Sequence, residues 1–349
     1  MILLLLLVSV ACISFILTHQ MRKYAHNKGL IDTPNDRSSH TLPTPRSGGN
    51  AIVLSFCAGL IIYSLSLTDE SIPFWIWGLM GSGFLVAMIG WIDDHGHIAA
   101  RWRLLIHFIT ATWSCYWLEA HRLPPIPVLG FEITLEWLAV PFVMLYLVWM
   151  LNLYNFMDGI NGIASIEVIS VGLGIAVLSF LVTNPMSEPG IYISIVALLM
   201  AATMGFIPWN FPNAKIFMGD AGSGFIGMVL GSLSIQAIWL APQLFWCWLI
   251  MLGVFVADAT TTLVCRVMNN ERAHEAHRNH AYQYASRVYN SHTIVTSCIA
   301  AINICFLLPL AVCVAQEKLD GGIGLILAYA PLIALALYFK AGNREQQRC

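Results

Sequence analysis

The feature that most constrains the fold of this chain is a series of eleven long apolar runs. Each is close to the length of about 17 to 25 residues that an α-helix needs to cross the hydrocarbon core of a bilayer. Continuous apolar runs predict helices, because the strands of a membrane β-barrel alternate apolar and polar residues. The predicted spans are residues 1-18, 49-68, 73-92, 102-119, 137-153, 161-183, 190-208, 222-240, 243-265, 293-315 and 322-340.

The composition supports a protein embedded in the membrane. Of the 349 residues, 58% are hydrophobic and only 10% are charged, with a mean hydropathy of +0.72, whereas soluble domains carry about 25% charged residues. We therefore expect an all-α fold, a polytopic helix bundle that forms one transmembrane domain over residues 1-349. A cleaved signal peptide is an alternative for the first run, but that run lacks a basic start and a clear small-residue cleavage site.

The basic residues predict the orientation of the bundle. With eleven spans, fifteen of the 17 Lys and Arg residues fall on one side, and only Arg122 and Lys318 fall on the other. Because short cytoplasmic loops are enriched in Lys and Arg, the N-terminus is expected outside and the C-terminus in the cytoplasm. The main cytoplasmic loops are then predicted at about residues 19-48, 93-101, 152-160, 209-221 and 266-292.

Five stretches rich in chemically active residues also fall on the cytoplasmic side. A secondary transporter would instead carry ionisable residues near the middle of its spans. Most spans here contain no Asp, Glu, Lys or Arg, and the exceptions are Asp258 and Glu167, which is near the cytoplasmic start of its helix. Asp258 lies about 12 Å inside its helix end, so it should need a hydrated cavity or a polar partner. The pattern favours a one-sided membrane enzyme. The stretches are DTPNDRSSHTLPTPRSGG (32-49), DDHGH (93-97), NLYNFMDGINGIA (152-164), WNFPNAKIFMGDAGSG (209-224) and RAHEAHRNHAYQYASR (272-287).

The acidic and amide residues in these stretches suit Mg²⁺, which prefers oxygen ligands and substrate phosphate. Asp220 lies among small residues that would let a diphosphate approach the backbone at a helix start, although it could also be an ordinary helix N-cap. At intervals of three, most of a second polar set would share one face if their helix continues; caps are the alternative. That set is Asn152, Asn155, Asp158 and Asn161.

The histidines of the last loop admit a zinc site as an alternative. His274, His277 and His280 are spaced by three, which drifts around a helix and does not hold one face as a spacing of four would. With Arg272 and Arg278 among them, they are better interpreted as donors to phosphate oxygens. A solvated basic loop is the remaining alternative.

The ordered motifs resemble a known family, the polyprenyl-phosphate N-acetylhexosamine-1-phosphate transferases, which include translocase I of peptidoglycan synthesis. The resemblance covers nearly the whole chain, and NLYNFMDGING followed by FMGDAGS carries it. It implies transfer of a sugar-1-phosphate from a UDP-activated N-acetyl amino sugar to undecaprenyl phosphate, with release of UMP and a requirement for Mg²⁺. It also implies a multi-pass protein of the bacterial inner membrane with a cytoplasm-facing catalytic domain. No nucleic-acid partner is expected, and a homodimer is left open.

The resemblance also implies roles for individual residues. Asp220 corresponds to the Mg²⁺ ligand, and Asn155 to a second residue of the metal site that also contacts the nucleotide. Asp93, Asp94 and Asp158 correspond to catalytic carboxylates. The substrate-binding positions are His40 and Arg46 in the first loop, Asn210 and Phe217 at the uracil, and His274, His277, Arg278 and His280 around the sugar diphosphate.

Two departures from relatives that use N-acetylglucosamine bear on the sugar. This chain has His97 where many of them read the last Asp of DDxxD, and HRNH where they read HIHH. The form AHRNHAYQ resembles initiators of O-antigen that use N-acetylfucosamine or N-acetylquinovosamine, so a 6-deoxy amino sugar is expected.

Other function classes remain open from the residues alone. A prenyl-type transferase would also bind Mg²⁺ through DDxxD, but it needs two aspartate-rich motifs and one is present here. A non-catalytic membrane scaffold is a further alternative. A transporter fits the one-sided motifs less well than an enzyme does.

Overall fold

The computed structural model describes residues 1–34, 39–67, 72–96, 98–182, 186, 189–271 and 279–343. Within these residues the chain is predominantly helical, with two small two-stranded sheets. The prediction of an all-α polytopic membrane protein is confirmed. The helices are α1 (Ile2–Lys28), α2 (Asn50–Ser66), α3 (Phe74–His95), α4 (Ala100–Trp117), α5 (Ala139–Met157), α6 (Ile163–Leu181), α7 (Gly190–Asn210), α8 (Asp220–Leu240), α9 (Gln243–Met251), α10 (Gly253–Met268), α11 (Ala281–Val288), α12 (His292–Ile302), α13 (Leu308–Ala315) and α14 (Gly321–Tyr338).

Each of the eleven predicted spans coincides with one helix or with consecutive helices. Among the described residues, eight helical segments are long and apolar enough to cross a membrane, and the pair α9 and α10 would make a ninth. The other two predicted spans are α2, which is apolar but has 17 residues, and α4. Many large apolar side chains on the outer surface are exposed, as a bilayer requires.

Two of the spans are interrupted inside the bundle. The axes of α9 and α10 are bent by 69° at Leu252. Between α12 and α13 the backbone forms a π-helical turn, Asn303–Leu307, just before Pro309. Proline has no N–H to donate to the preceding turn, so the hydrogen-bond pattern of the helix shifts there.

Helix α8 lies at the centre of the bundle, and 18 of its 21 residues are buried. Its small residues allow this close packing, as in other membrane bundles. A Cβ atom at Gly227 would lie 2.7 Å from the backbone oxygen of Met150 in α5, and one at Gly222 would lie 2.6 Å from the Cα of Gly49. The glycines after Asp220 therefore serve helix packing.

Polar contacts between different segments of the chain collect at one end of the bundle, which we call the polar end. It contains the C-terminal ends of α3, α5, α7 and α10, and the N-terminal ends of α4, α6, α8 and α12. The short strands β1 (Ile31–Asp32) and β2 (Thr44–Pro45) pair within the loop that leads into it. At the opposite end, β3 (Ile126–Val128) and β4 (Phe131–Ile133) form a hairpin.

The two acidic residues inside the spans both have polar partners. Glu167 of α6 is fully buried, and its Oε2 accepts a hydrogen bond of 2.7 Å from Nδ2 of Asn303 in the π-helical turn. Asp258 of α10 accepts from the backbone N–H groups of Ala281 and Tyr282, at 3.0 and 2.9 Å. The polar partner expected for Asp258 is thus the N-terminus of α11.

Candidate active site

The polar end encloses a cavity of about 420 Å³. Its wall combines the first loop, the loop after α5, the loop that leads into α8, and the starts of α11 and α12. Eight of the predicted site residues line it together: His40, Arg46, Asp94, Asn155, Asp158, Asn210, Phe217 and Asp220. The remaining lining residues include Asp32, Ser39, Asn161, Ser223, Gln283 and His292.

Asp94 lies in the cavity wall and is almost fully buried. Its Oδ2 accepts a hydrogen bond of 2.7 Å from Oγ of Ser47, and its backbone oxygen accepts one of 2.6 Å from Nη2 of Arg46. Its Oδ1 lies 3.4 Å from the backbone nitrogen of Asp220, at the start of α8. These contacts fix one carboxylate between the first loop and α8.

The neighbouring Asp93 points to a different set of partners. Its Oδ2 accepts a hydrogen bond of 2.7 Å from Nη1 of Arg103, and its Oδ1 accepts one of 2.8 Å from the backbone N–H of Ile98. Adjacent residues of a helix point about 100° apart, and Asp93 is outside the cavity lining. The two carboxylates therefore have different partners, and Asp94 is the one on the cavity side.

Asp220 is the first residue of α8, and it does not act as an N-cap. The N-cap is Gly219, whose φ of 78° favours glycine. A Cβ at Gly219 would also lie 2.7 Å from Oδ2 of Asp94. Asp220 Oδ1 accepts a hydrogen bond of 3.0 Å from Nδ2 of Asn155, and its Oδ2 lies 3.0 Å from Arg103 Nη1. Asn155 thus presents its amide nitrogen to Asp220.

The polar residues after Asn155 do not continue a helix, contrary to one expectation from their spacing. Helix α5 ends at Met157, and Asp158 is its C-cap. The loop then carries Asp158 and Asn161 into the cavity wall, while Asn152 turns to His107 of α4. Burial raises the pKa of Asp158 well above its usual range, and the charges of Asp220 and Asp94 add to this.

Aromatic and basic side chains form the part of the cavity next to the first loop. The rings of His40 and Phe217 meet edge to face with centroids 4.8 Å apart. Nε2 of His40 is buried without a hydrogen-bond partner among the described residues, and it lies 4.0 Å from Asp32 Oδ2. An unpaired donor or acceptor of this kind, in the wall of a cavity, is available to a ligand.

Asn210 is buried, and its amide joins two parts of the wall. Its Oδ1 accepts a hydrogen bond of 2.8 Å from the backbone N–H of Gly162, and its Nδ2 donates one of 3.0 Å to the backbone oxygen of Ile216. Any contact that Asn210 makes with a base would therefore come in addition to this structural role.

The histidines of the last loop are divided. His274, His277 and Arg278 lie outside the described residues, so their predicted roles stay predictions. His280 is described, is buried, and lies outside the cavity lining. Its Nδ1 lies 3.2 Å from Asp258 Oδ1, at the N-cap of α11. In this structure His280 joins α10 to α11, and the next helix residue to reach the cavity is Gln283.

Several residues of the site carried no signal in the sequence. Ser47 contacts Asp94, and His107 contacts Asn152, only because segments far apart in the chain pack together. Gln283 and His292 line the cavity from segments far along the chain. In the sequence alone, Gln283 and His292 look like ordinary polar residues near helix starts. Only the packing of the helices shows that they line the cavity.

The oxygen ligands of the cavity suit Mg²⁺ better than they suit a metal ion that is held by protein side chains alone. Within the described ranges, no group of three or more His, Cys, Asp or Glu side chains is arranged to hold a metal ion. Mg²⁺ is usually held by one or two carboxylates, with waters and substrate phosphates completing its ligands. Asp220, with Asp94 and Asp158 in the same wall, offers such carboxylates, and their mutual repulsion favours a cation.

Comparisons with known proteins agree with these features. The family model for glycosyl transferase family 4 matches residues 76–238. The chain is 28% identical over 282 residues to a probable undecaprenyl-phosphate N-acetylglucosaminyl 1-phosphate transferase of Bacillus subtilis, covering 78% of this chain and 76% of the relative.

Two further relatives extend the similarity. A decaprenyl-phosphate N-acetylglucosaminephosphotransferase of Mycolicibacterium smegmatis is 29% identical over 247 residues, covering 65% of this chain and 58% of the relative. A phospho-N-acetylmuramoyl-pentapeptide-transferase of Rhodopseudomonas palustris is 28% identical over 250 residues, covering 63% and 66%. The matched region contains Asp93, Asp94, Asp158 and Asp220. The family model and the relatives thus both show similarity of this chain to glycosyl transferase family 4 and to polyprenyl-phosphate transferases.

Proposed function

We propose that this protein transfers an N-acetylhexosamine-1-phosphate from a UDP-sugar to undecaprenyl phosphate and releases UMP. The observation that carries the proposal is one cavity, at the end of a membrane bundle, lined by Asp94, Asp158 and Asp220 together with His40 and Arg46. Carboxylates beside basic groups suit a magnesium diphosphate. The printed names of the relatives describe transfer of N-acetylglucosamine phosphate to polyprenyl phosphates.

In the proposed reaction, an oxygen of the lipid phosphate attacks the β-phosphorus of the UDP-sugar. The bond between that phosphorus and the oxygen bridging to UMP breaks, and UMP leaves with the bonding electrons. The products are a lipid diphosphate sugar and UMP, so no redox partner or water is consumed. A lipid phosphate is already largely ionised at neutral pH, so the attack does not depend on a strong base.

The residues of the chain would contribute position and charge. Bound Mg²⁺, held by Asp220, would neutralise the diphosphate and make UMP a better leaving group. Asp94, fixed by Ser47 and Arg46, would orient the acceptor phosphate or take its proton if one is present. Arg46 and His40 would donate to phosphate oxygens, and preorganised donors of this kind are a large source of rate enhancement. Phe217 would pack against the uracil.

We further propose that the preferred sugar is a 6-deoxy amino sugar such as N-acetylfucosamine or N-acetylquinovosamine, and that the product initiates O-antigen or a related polysaccharide. His97 and the HRNH motif, which carry this part, are outside the described residues except for Asn279 and His280. The basic-residue distribution supports an inner-membrane protein whose polar end faces the cytoplasm.

A membrane assay with a panel of UDP-sugars tests the reaction. Membranes that contain the protein should convert undecaprenyl phosphate and one UDP-N-acetyl amino sugar into a lipid-linked product, with one UMP released for each sugar transferred. Membranes with Asp220→Asn serve as the control. Efficient use of UDP-N-acetylglucosamine with none of the 6-deoxy sugars would refute the sugar, and absence of product from every UDP-sugar would refute the function.

Reporter fusions test the orientation separately. A fusion within residues 119–135 should report the outside, and one within residues 267–289 should report the cytoplasm. The opposite result for either would exclude a cytoplasm-facing site.

A further inference from the structure

The backbone of Asn161 in the cavity wall is held by two side chains of α12. The N–H of Asn161 donates to Nδ1 of His292 at 3.4 Å, and its backbone oxygen accepts a hydrogen bond of 3.0 Å from Oγ1 of Thr296. Residues four apart lie on one face of a helix. These two side chains therefore pair with the N–H and the C=O of one residue, as a neighbouring strand would.

The contacts of His292 also fix which of its nitrogens carries the proton. Because Nδ1 faces an N–H group, it must be the acceptor. Nε2 lies 3.1 Å from the backbone oxygen of Ser39, so it must be the donor. The neutral ring with hydrogen on Nε2 thus joins the loop after α5 to the first loop. Both ring nitrogens are used in this way, which leaves none for a substrate.

The held peptide is next to the residues expected to contact the nucleotide. Gly162, which follows Asn161, donates its N–H to Oδ1 of Asn210. Ser39, at the other end of the His292 contact, precedes His40, whose ring packs against Phe217. A shift of α12 or loss of either side chain would therefore move two walls of the cavity relative to each other.

We propose that His292 and Thr296 are positioning residues for the nucleotide part of the cavity. This inference rests on the proposed function, because it assumes that a uridine nucleotide binds between Asn161, Asn210 and Phe217. Neither side chain takes part in the bond changes. We call the two side chains of His292 and Thr296, with their hydrogen bonds to Asn161, the clamp. Loss of the clamp should weaken binding of the UDP-sugar and leave kcat nearly unchanged, since Asp94 and Asp220 are held by other contacts.

The test uses Thr296→Val, which keeps the shape of the buried side chain and removes the donor. We expect the KM for the UDP-sugar to rise by about fivefold to tenfold, the effect of losing one buried hydrogen bond, with kcat within about twofold of the parent. Thr296→Ser restores a hydroxyl and should restore KM. Thr203→Val is the matched control, because buried Thr203 donates to Leu199 of its own helix.

Two further measurements keep the outcomes distinct. His292→Phe should raise KM as well, and the double variant should show less than the product of the two single effects, because both side chains hold one residue. Binding of UMP to purified protein, measured by calorimetry, should weaken in parallel. If His292→Phe does not fold, the threonine variants still decide the proposal.

If the parent protein is active and Thr296→Val and Thr203→Val have equal KM values for the UDP-sugar, the proposed role of the clamp is wrong. A lower unfolding temperature and lower kcat in Thr296→Val, with KM unchanged, would overturn it too and would indicate a purely structural role. A parent that neither transfers sugar phosphate nor binds UMP would instead refute the proposed function.

Discussion

One guanidinium nitrogen of Arg103, Nη1, lies 3.0 Å from Oδ2 of Asp220 and 2.7 Å from Oδ2 of Asp93. Arg103 therefore provides positive charge next to the residue expected to hold Mg²⁺. Its side chain is partly buried, so this contact is less screened by solvent than a surface ion pair. Asp93 reaches the site through this arginine.

The first prediction follows from that shared contact. Arg103→Gln and Asp93→Asn should each lower turnover by about a hundredfold or more, the loss typical of charge-positioning groups. The double variant should be little worse than either single variant, because both remove one arrangement. Turnover at saturating substrates measures this, and Arg101→Gln, in the same first turn of α4, is the control. Multiplicative losses in the double variant would contradict a shared role.

Asp220→Asn should abolish activity and leave the protein folded. The substitution keeps the size of the side chain and one acceptor for Asn155, but it removes the charge that Mg²⁺ prefers. Transfer activity across a Mg²⁺ titration gives the measurement. Asp320→Asn, at the N-cap of α14 at the other end of the bundle, should keep full activity. If Asp220→Asn keeps nearly the activity of the parent at limiting Mg²⁺, Asp220 is not the Mg²⁺ ligand.

Asp94→Asn should lower turnover by about a hundredfold or more, and Ser47→Ala by about tenfold. Asparagine at position 94 has no charge, and its NH₂ group must face either the Ser47 hydroxyl or the backbone N–H of Asp220, which are both donors. Ser47→Ala removes only one hydrogen bond and leaves the carboxylate of Asp94 in place. Expression level and unfolding temperature should stay close to the parent. A Ser47→Ala loss as large as that of Asp94→Asn would indicate that Asp94 acts only through its position.

Asp158→Asn should lower activity and raise stability at neutral pH. The pKa of Asp158 is raised in the folded protein, so the folded state binds more protons than the unfolded state above a pH of about 4. Stability is therefore lost as the pH rises through that window, and asparagine avoids the loss. Unfolding temperatures from acid to neutral pH measure this, with exposed Glu132→Gln as the control. A variant less stable than the parent at neutral pH would contradict the prediction.

Glu167→Gln should be tolerated, whereas Asn303→Leu should destabilise the protein. Oε1 of Glu167 and Oδ1 of Asn303 are both buried acceptors without a hydrogen-bond partner among the described residues. The NH₂ group of glutamine can donate to Oδ1 of Asn303, and its oxygen can still accept from Nδ2 of Asn303. Leucine leaves Glu167 unpaired, at a cost of about 1 to 3 kcal/mol. Unfolding in detergent measures both variants, and a large loss for Glu167→Gln would contradict this pairing.

The membrane spans could be predicted because each is a continuous apolar run, and the site because its motifs lie at helix ends on one side. The partners within the site could not. Adjacent Asp93 and Asp94 are expected to point in different directions, but the partner of each depends on packing: Asp93 accepts from Arg103 of α4, and Asp94 accepts from Ser47 of the first loop. His280 was interpreted as a phosphate donor, but the folded chain turns it to Asp258, a contact between residues 22 positions apart.

The burial of α8 has a consequence for the synthesis of the protein. Because almost all of α8 is buried in the folded protein, other helices must replace lipid around it after it enters the membrane. Its main neighbours α3 and α5 precede it in the chain, so they have left the ribosome before α8 emerges. Asp220 at the start of α8 can therefore reach Asn155 and Asp94 before α14, the last helix of the described residues, has been translated.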